Sequence, residues 1–164
     1  AIKASLIADG ATARDIADAL AESKARKISQ KQPDALVIGC DQVLDLNGQM
    51  LSKPKSAEEA LVQLKSLRGE RHMLLSACVI YEDGKPIWRQ VGQVRLRMRD
   101  VSDAFLHDYV ERNWDSIRHA VGCYKLEEEG VRLFSRIDGD YFTVLGLPLL
   151  PLLAYLSERG MIAS

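Results

Sequence analysis

Two strand-length runs, Met73 to Tyr81 and Ile87 to Met98, are joined by Glu82-Asp83-Gly84-Lys85, and no other stretch constrains the fold as tightly. Asp-Gly tolerates the positive φ of a tight turn. The second run alternates as Val91, Gln93-Val94, Arg95-Leu96 and Arg97-Met98, the period of a strand with one apolar and one polar face. A long hairpin with one wet face is expected.

Other elements arrange themselves around it. From Thr12, a plausible N-cap, to Gln30 the apolar positions Ile16, Leu20 and Ile28 recur at helical spacing, with Lys24 on the same inward stripe, until Pro33 and Asp34 stop the helix. Ala35 to Cys40 is a short apolar run that reads as a strand covered on both faces, with Asp41 where it ends. Val43 to Leu46 and Gln49 to Leu51 flank Asn47-Gly48, a second hairpin signal. Ser56 and Glu59 form a capping box for a helix with Ala60, Leu61, Leu64 and Leu67 inward, ended by Gly69. Ser102 caps a helix carrying Phe105, Leu106, Tyr109 and Val110; Val131 to Ile137 reads as an alternating strand; Pro148 to Arg159 reads as a last helix before Gly160. The order mixes α-β units with hairpins, so the expected class is α/β, one mixed elongated sheet with flanking helices. No internal repeat or linker divides residues 1–164.

Composition narrows the function classes. With 164 residues, 47% hydrophobic and 27% charged, the chain suits one compact soluble domain, which excludes a coiled-coil rod, a disordered tail and a disulfide scaffold. Twenty-two basic against 23 acidic residues leave no surplus for a polyanion or a membrane surface, so neither nucleic acid nor membrane is an expected partner. A small anion met by a few placed cations remains open. Cys40, Cys78 and Cys123 are odd in number and widely spaced, which suits neither a disulfide framework nor a zinc site and points to a reducing cytoplasm. The longest apolar run, Val144 to Leu156, is too short to span a bilayer and is broken by Gly146, Pro148 and Pro151.

Three clusters could carry chemistry. Val37 to Val43 delivers Asp41 to a strand end, where a carboxylate can hold a divalent metal or activate water, or can simply cap the turn with its own backbone amides. In Leu51-Ser52-Lys53-Pro54-Lys55, Lys53 either neutralises a phosphate or is a solvated loop lysine. Lys24, on an inward stripe, must snorkel out or meet an anion. Gly122 to Gly130 is an acidic loop; a carboxylate there can read two adjacent N–H donors, with Tyr124 available for stacking, or the loop is an exposed turn. His72, His107 and His119 are scattered and read as structural or surface residues.

Together these segments resemble the Maf family of nucleoside triphosphate pyrophosphatases, the septum-formation-inhibitor-like proteins. The matching stretches are Leu20 to Ala25, Val37 to Val43, Ser52-Lys53-Pro54, Leu67 to His72, Gly122 to Lys125, and Ile137 to Tyr141 leading into Val144 to Leu149. The resemblance implies an elongated α/β fold with a nucleotide cleft between two lobes, related to inosine-triphosphate pyrophosphatases. It implies hydrolysis of a nucleoside triphosphate to monophosphate and pyrophosphate with magnesium or manganese, and a homodimer by family analogy. On it, Asp41 matches the catalytic aspartate, as metal ligand or proton acceptor for water, and Lys24 and Lys53 match basic residues at the triphosphate. Gln42 and Glu127 stand where much of the family has threonine and glutamine, a pairing that resembles the branch acting on 7-methyl-GTP, as does Lys125. The family's opening strand and its Ser-x-Ser-Pro-x-Arg loop have no match, so residues 1–164 are expected to be one Maf-like domain lacking both, and such a form is expected to be catalytically crippled. Two alternatives stand beside this reading: hydrolysis of dTTP or UTP, as in the sister branch, and a non-enzymatic nucleotide-binding regulatory module.

Overall fold

The structure, a computed structural model, describes residues 1–164. Its five strands are β1 (Leu36–Leu46), β2 (Gln49–Leu51), β3 (Arg71–Glu82), β4 (Lys85–Met98) and β5 (Phe134–Asp138). They form one sheet in the order β2-β1-β3-β4-β5, antiparallel at both edge pairs. Six helices accompany it: α1 (Ile2–Ala8), α2 (Ala13–Lys31), α3 (Ala57–Leu67), α4 (Asp103–Ile117), α5 (Tyr141–Leu145) and α6 (Leu149–Glu158). The α/β class with flanking helices is as the sequence indicates. The two hairpins turn on Asn47-Gly48 and Asp83-Gly84, all four residues at positive φ. The caps at Thr12, Ser56 and Ser102 each accept the backbone N–H three residues on.

Three expectations need correction. β1 runs five residues beyond Asp41, because Asp41 and Gln42 interrupt the apolar pattern without ending the strand. Residues 131–133 belong to a 3-10 turn, and β5 begins only at Phe134. On α2 the buried stripe is Ala13, Ile16, Ala17, Ala21, Ala25 and Ser29, whereas Ile28 is exposed. Small residues face inward there for a reason that lies in β1.

The chain divides into two compact units. The first comprises Ala1–Gln42, Leu75–Gln93 and Asp140–Ser164. Here β3 is buried on both faces; on one of them Cys78 and Ile80 pack with Leu152 of α6, supported by Leu36, Cys40, Trp88 and Tyr155. Each large side chain buried this way contributes about 1.5–3 kcal/mol. Tyr81 Oη donates to Glu22 on α2, and Arg89 on β4 pairs with Asp18 and Glu22 of the same helix. The closest approach is made by Gly39 of β1: a Cβ there would lie 2.4 Å from the Ala21 carbonyl oxygen and 2.7 Å from the Ala25 nitrogen. Only glycine on the strand and alanine on the helix allow that separation.

The second unit comprises Val43–Leu74 and Val94–Gly139. Leu64 and Leu67 of α3, Leu106, Tyr109 and Ile117 of α4, and Val94, Leu96 and Met98 of β4 are all buried. His72 lies inside this unit with Nε2 2.8 Å from Tyr124 Oη, and Phe134 closes an aromatic cluster around both. Its Nδ1 is buried without a partner.

Two outcomes follow. Gly39→Ala drives a methyl group into helix backbone, so we expect it to lower stability by about 1–3 kcal/mol or more, read as a fall in the urea midpoint. Burial pushes His72 down to about 4, against 6.5 for a free histidine. The unfolded chain therefore takes up a proton that the folded chain refuses. Stability is complete above pH 6.5 and falls by up to about 3 kcal/mol on acidification toward pH 4. Urea melts between pH 7 and pH 5 should show that slope, and His72→Asn should remove it.

Candidate functional site

In the first unit the Gly39 contact fixes where Lys24 emerges from α2. The lysine side chain is 60% exposed, yet its Nζ reaches Asp41 Oδ2 at 3.3 Å and donates to the Cys40 carbonyl at 3.2 Å. It runs along the flank of the helix to meet an anion. Asp41 is 19% exposed, and its Oδ1 accepts the Gln42 backbone N–H at 2.8 Å. The carboxylate therefore does hold a local amide while presenting one oxygen to a cation and to solvent.

Gln42 has a different setting. Its Nε2 lies 2.9 Å from the Val144 carbonyl, 3.2 Å from the Thr143 carbonyl and 3.0 Å from Ser76 Oγ. Carbonyls only accept, so the amide nitrogen must face them, and this leaves Oε1 as the group available to a ligand. Buried Ser76 donates its hydroxyl to the Thr143 carbonyl at 2.7 Å. The same short helix is capped by Asp140, whose carboxylate accepts from the Thr143 N–H and hydroxyl. A Cβ on Gly92 would sit 2.6 Å from Thr143 Oγ1, so α5 lies directly on β4. Gln42 thus anchors α5 beside Asp41.

Lys53 and Glu127 lie in the second unit. Lys53 is exposed and forms no ion pair, between a Ser52 carbonyl held by Gln63 Nε2 at 2.9 Å and a buried Pro54. Gln63 occupies an inward position on α3. Its Oε1 accepts the Cys123 thiol at 3.4 Å, so one buried amide ties the Lys53 loop to the Gly122 loop. Cys123 has φ +62, a strained conformation for a non-glycine residue, and is further held by Tyr109 Oη donating to its carbonyl at 2.8 Å. Burial pushes its thiol up to about 12, so it is no nucleophile. Tyr124 is buried against His72 and Phe134 and is not available to stack on a ligand, contrary to the sequence expectation.

The three consecutive glutamates separate into distinct roles. Glu129 meets Arg112, Asn113 and Arg132, and the Arg112 guanidinium, then the Asn113 amide, holds its carboxyl down at about 2. Glu128 accepts from Ser116 of α4 at 2.6 Å. Glu127 is exposed and makes no hydrogen bond or ion pair. Two carboxylates fasten the loop to α4 and one is left for solvent or a ligand.

Of the residues singled out from the sequence, the structure brings Lys24 and Asp41 together, sets Gln42 beside them, and places Lys53 and Glu127 in the other unit. Sequence reasoning missed Gln63, Ser76, Gly92 and Thr143. Isolated glycines inside strand patterns were the available signal for close backbone approach at 39 and 92. Nowhere do three or more His, Cys, Asp or Glu side chains gather as metal ligands. A magnesium or manganese ion fits Asp41 in one way: such ions keep several waters and often take one protein carboxylate plus oxygens of a substrate's phosphates.

Comparison with known proteins agrees with this reading of the segments. A family profile described as Maf-like protein matches residues 1–159. The chain is 72% identical over 159 residues to a nucleoside triphosphate pyrophosphatase of Roseobacter denitrificans, covering 97% of this chain and 80% of that one. It is 70% identical over 161 residues to the protein of that name in Ruegeria pomeroyi, covering 98% and 81%. Against a 7-methyl-GTP pyrophosphatase of Brucella abortus it is 47% identical over 162 residues, covering 99% and 81%. With a profile match over nearly its whole length and relatives this similar, the chain belongs to the Maf-like family.

Proposed function

We propose that the protein hydrolyses a nucleoside triphosphate to the monophosphate and pyrophosphate, with 7-methyl-GTP the preferred substrate. The general reaction draws its support from relatives of 72% and 70% identity that carry that name. The preference draws its support from one observation, the unpartnered Glu127 beside two engaged glutamates. 7-Methylguanine carries delocalised positive charge and adjacent ring and exocyclic N–H donors. A carboxylate answers both with charge-assisted hydrogen bonds, where a neutral amide answers only part. The name of the Brucella relative, at 47% identity, is in keeping with that preference.

In this reading Asp41 accepts the proton of the water that attacks the α-phosphorus, through the oxygen it turns to solvent. Lys24, held on the flank of α2, stabilises charge that builds on the phosphate oxygens. Lys53 binds the phosphate chain as an exposed point charge on a loop fixed at Ser52 and Pro54. Asp41 would hold a divalent ion together with the substrate's phosphate oxygens, and that ion would supply positive charge against the leaving pyrophosphate. Gln42 holds α5 through its amide nitrogen and offers Oε1 to the substrate.

The test is pyrophosphate release from 7-methyl-GTP, GTP, dTTP and UTP with magnesium or manganese, on residues 1–164 and on a chain extended upstream with the family's Ser-x-Ser-Pro-x-Arg loop, the variants being compared in whichever form turns over. We expect 7-methyl-GTP to lead. Glu127→Gln should reduce its advantage over GTP by about tenfold, the worth of a hydrogen bond to a charged group. An unchanged ratio would remove Glu127 from base recognition, and dTTP or UTP as the best substrate would replace the preference altogether. Asp41→Asn breaks an ion pair worth about 1 kcal/mol or less, so it should fold like the parent while turnover falls by about a hundredfold or more. Retained turnover in a folded Asp41→Asn protein would show that the base lies elsewhere.

A further inference from the structure

The polar face of β4 in the second unit is built in an unusual way. Val94, Leu96 and Met98 point into the core, so Arg95 and Arg97 share the outer face. On the neighbouring β5, Arg136 stands directly opposite Arg97, and Asp138 stands opposite Arg95. Like charges directly opposed across an antiparallel pair are destabilising, so folding alone does not favour this arrangement. Arg71, from the start of β3, joins them, and with Leu96 and Asp138 the four arginines line a depression of about 160 Å³. Asp138 is already engaged by Arg136 Nε at 2.8 Å. Arg71, Arg95 and Arg97 make no side-chain hydrogen bond or ion pair.

Protection of a sheet edge does not explain the group. Charge on an edge strand blocks edge-to-edge pairing, and that accounts for Arg136 on β5. β3 and β4 are paired on both sides, so Arg71, Arg95 and Arg97 guard no edge. The choice of residue is informative too. A guanidinium presents a planar fork that meets two oxygens of one phosphoryl group at once, which lysine cannot do.

We propose that Arg71, Arg95 and Arg97 form a binding site for a small oligophosphate, an anion with two or more linked phosphoryl groups, seated in the depression that Arg136 and Asp138 complete. Four guanidiniums against one carboxylate leave a local surplus of three positive charges. A carboxylate or orthophosphate neutralises part of that surplus, whereas linked phosphoryl groups reach several guanidiniums together. The size of the depression suits such an anion. A nucleic acid needs a wider basic surface, and the formal net charge of the whole chain is -1. The ligand is either inorganic pyrophosphate or the phosphate tail of a nucleotide, which share this chemistry.

The experiment is a titration of the folded chain, followed through the Nε–Hε resonances of its arginines by NMR and assigned by single Arg→Lys substitutions. It is run on a Lys24→Gln, Lys53→Gln protein, which removes both basic phosphate contacts assigned above to the substrate. We expect inorganic pyrophosphate to shift the Arg71, Arg95 and Arg97 signals saturably, and orthophosphate at equal ionic strength to bind at least tenfold more weakly. Arg95→Gln with Arg97→Gln should weaken pyrophosphate binding tenfold or more, while Arg95→Lys with Arg97→Lys, which keeps the charge, should recover only part of it. A nucleoside triphosphate that saturates the same signals at lower concentration identifies the nucleotide tail as the source; a nucleoside monophosphate serves as the control. Equal response to orthophosphate and pyrophosphate, no response to either, or response to single-stranded DNA alone would each overturn the site. Turnover is measured separately, so silent arginines in an active enzyme reject this site and leave the proposed reaction standing, and the reverse result does the opposite.

Discussion

The approach of α2 to β1 at Gly39 is the contact from which the geometry of the first unit follows. Because a Cβ at that position would overlap helix backbone, the strand and helix can be this close only where both sides carry almost nothing. That closeness makes alanine the inward residue of α2 and displaces Leu20 and Ile28 from the role their hydrophobicity suggests. It also sets the height at which Lys24 leaves the helix, with its Nζ within reach of Asp41 and of the Cys40 carbonyl. A larger residue at 39 would move the whole helix and the lysine with it. The ion pair is thus a consequence of sterics two residues away, and its own exposed geometry contributes little to stability.

The second unit solves its positioning problem by hydrogen bonding. Gln63 is a buried amide whose two ends serve two loops, accepting a thiol and donating to a carbonyl. A buried amide is costly unless satisfied, so each loop holds the glutamine as firmly as the glutamine holds the loop. Cys123 keeps its left-handed backbone because its carbonyl, its thiol and its N–H are all bonded. In both units the groups singled out for chemistry rest on buried supports, with Lys24, Lys53 and Glu127 as exposed tips and Asp41 mostly covered.

The sequence made the supports of regular structure legible and left the tertiary ones hidden. Both Asn-Gly and Asp-Gly turns, the Ser and Thr caps and the alternation of β4 are local signals whose physics is complete within a few residues, and each appears where expected. Asp41 stands out in the sequence but is misplaced in its strand, because a polar pair in an apolar run looks like an ending. The Lys24–Asp41 pair needed the separation set by Gly39, which no helical periodicity contains. The inward amide of Gln63 and the Ser76–Thr143–Gln42 network depend on partners 11 to 102 residues apart. Three adjacent glutamates looked alike in the sequence, and only their distances from Arg112 and Ser116 tell them apart.

That separation among the glutamates has a consequence for how such a protein changes over generations. Glutamate and glutamine codons differ by one nucleotide. At 128 or 129 the exchange would loosen the loop from α4, because each carboxylate there is a fastening. At 127 no fold contact is lost, so the substitution is nearly invisible to selection on stability, and with Glu127 reading the base as proposed it is fully visible to selection on the ligand. Under the proposed base contact, a lineage with this architecture can alter what it binds by a single base change at a position where the scaffold has nothing to repair.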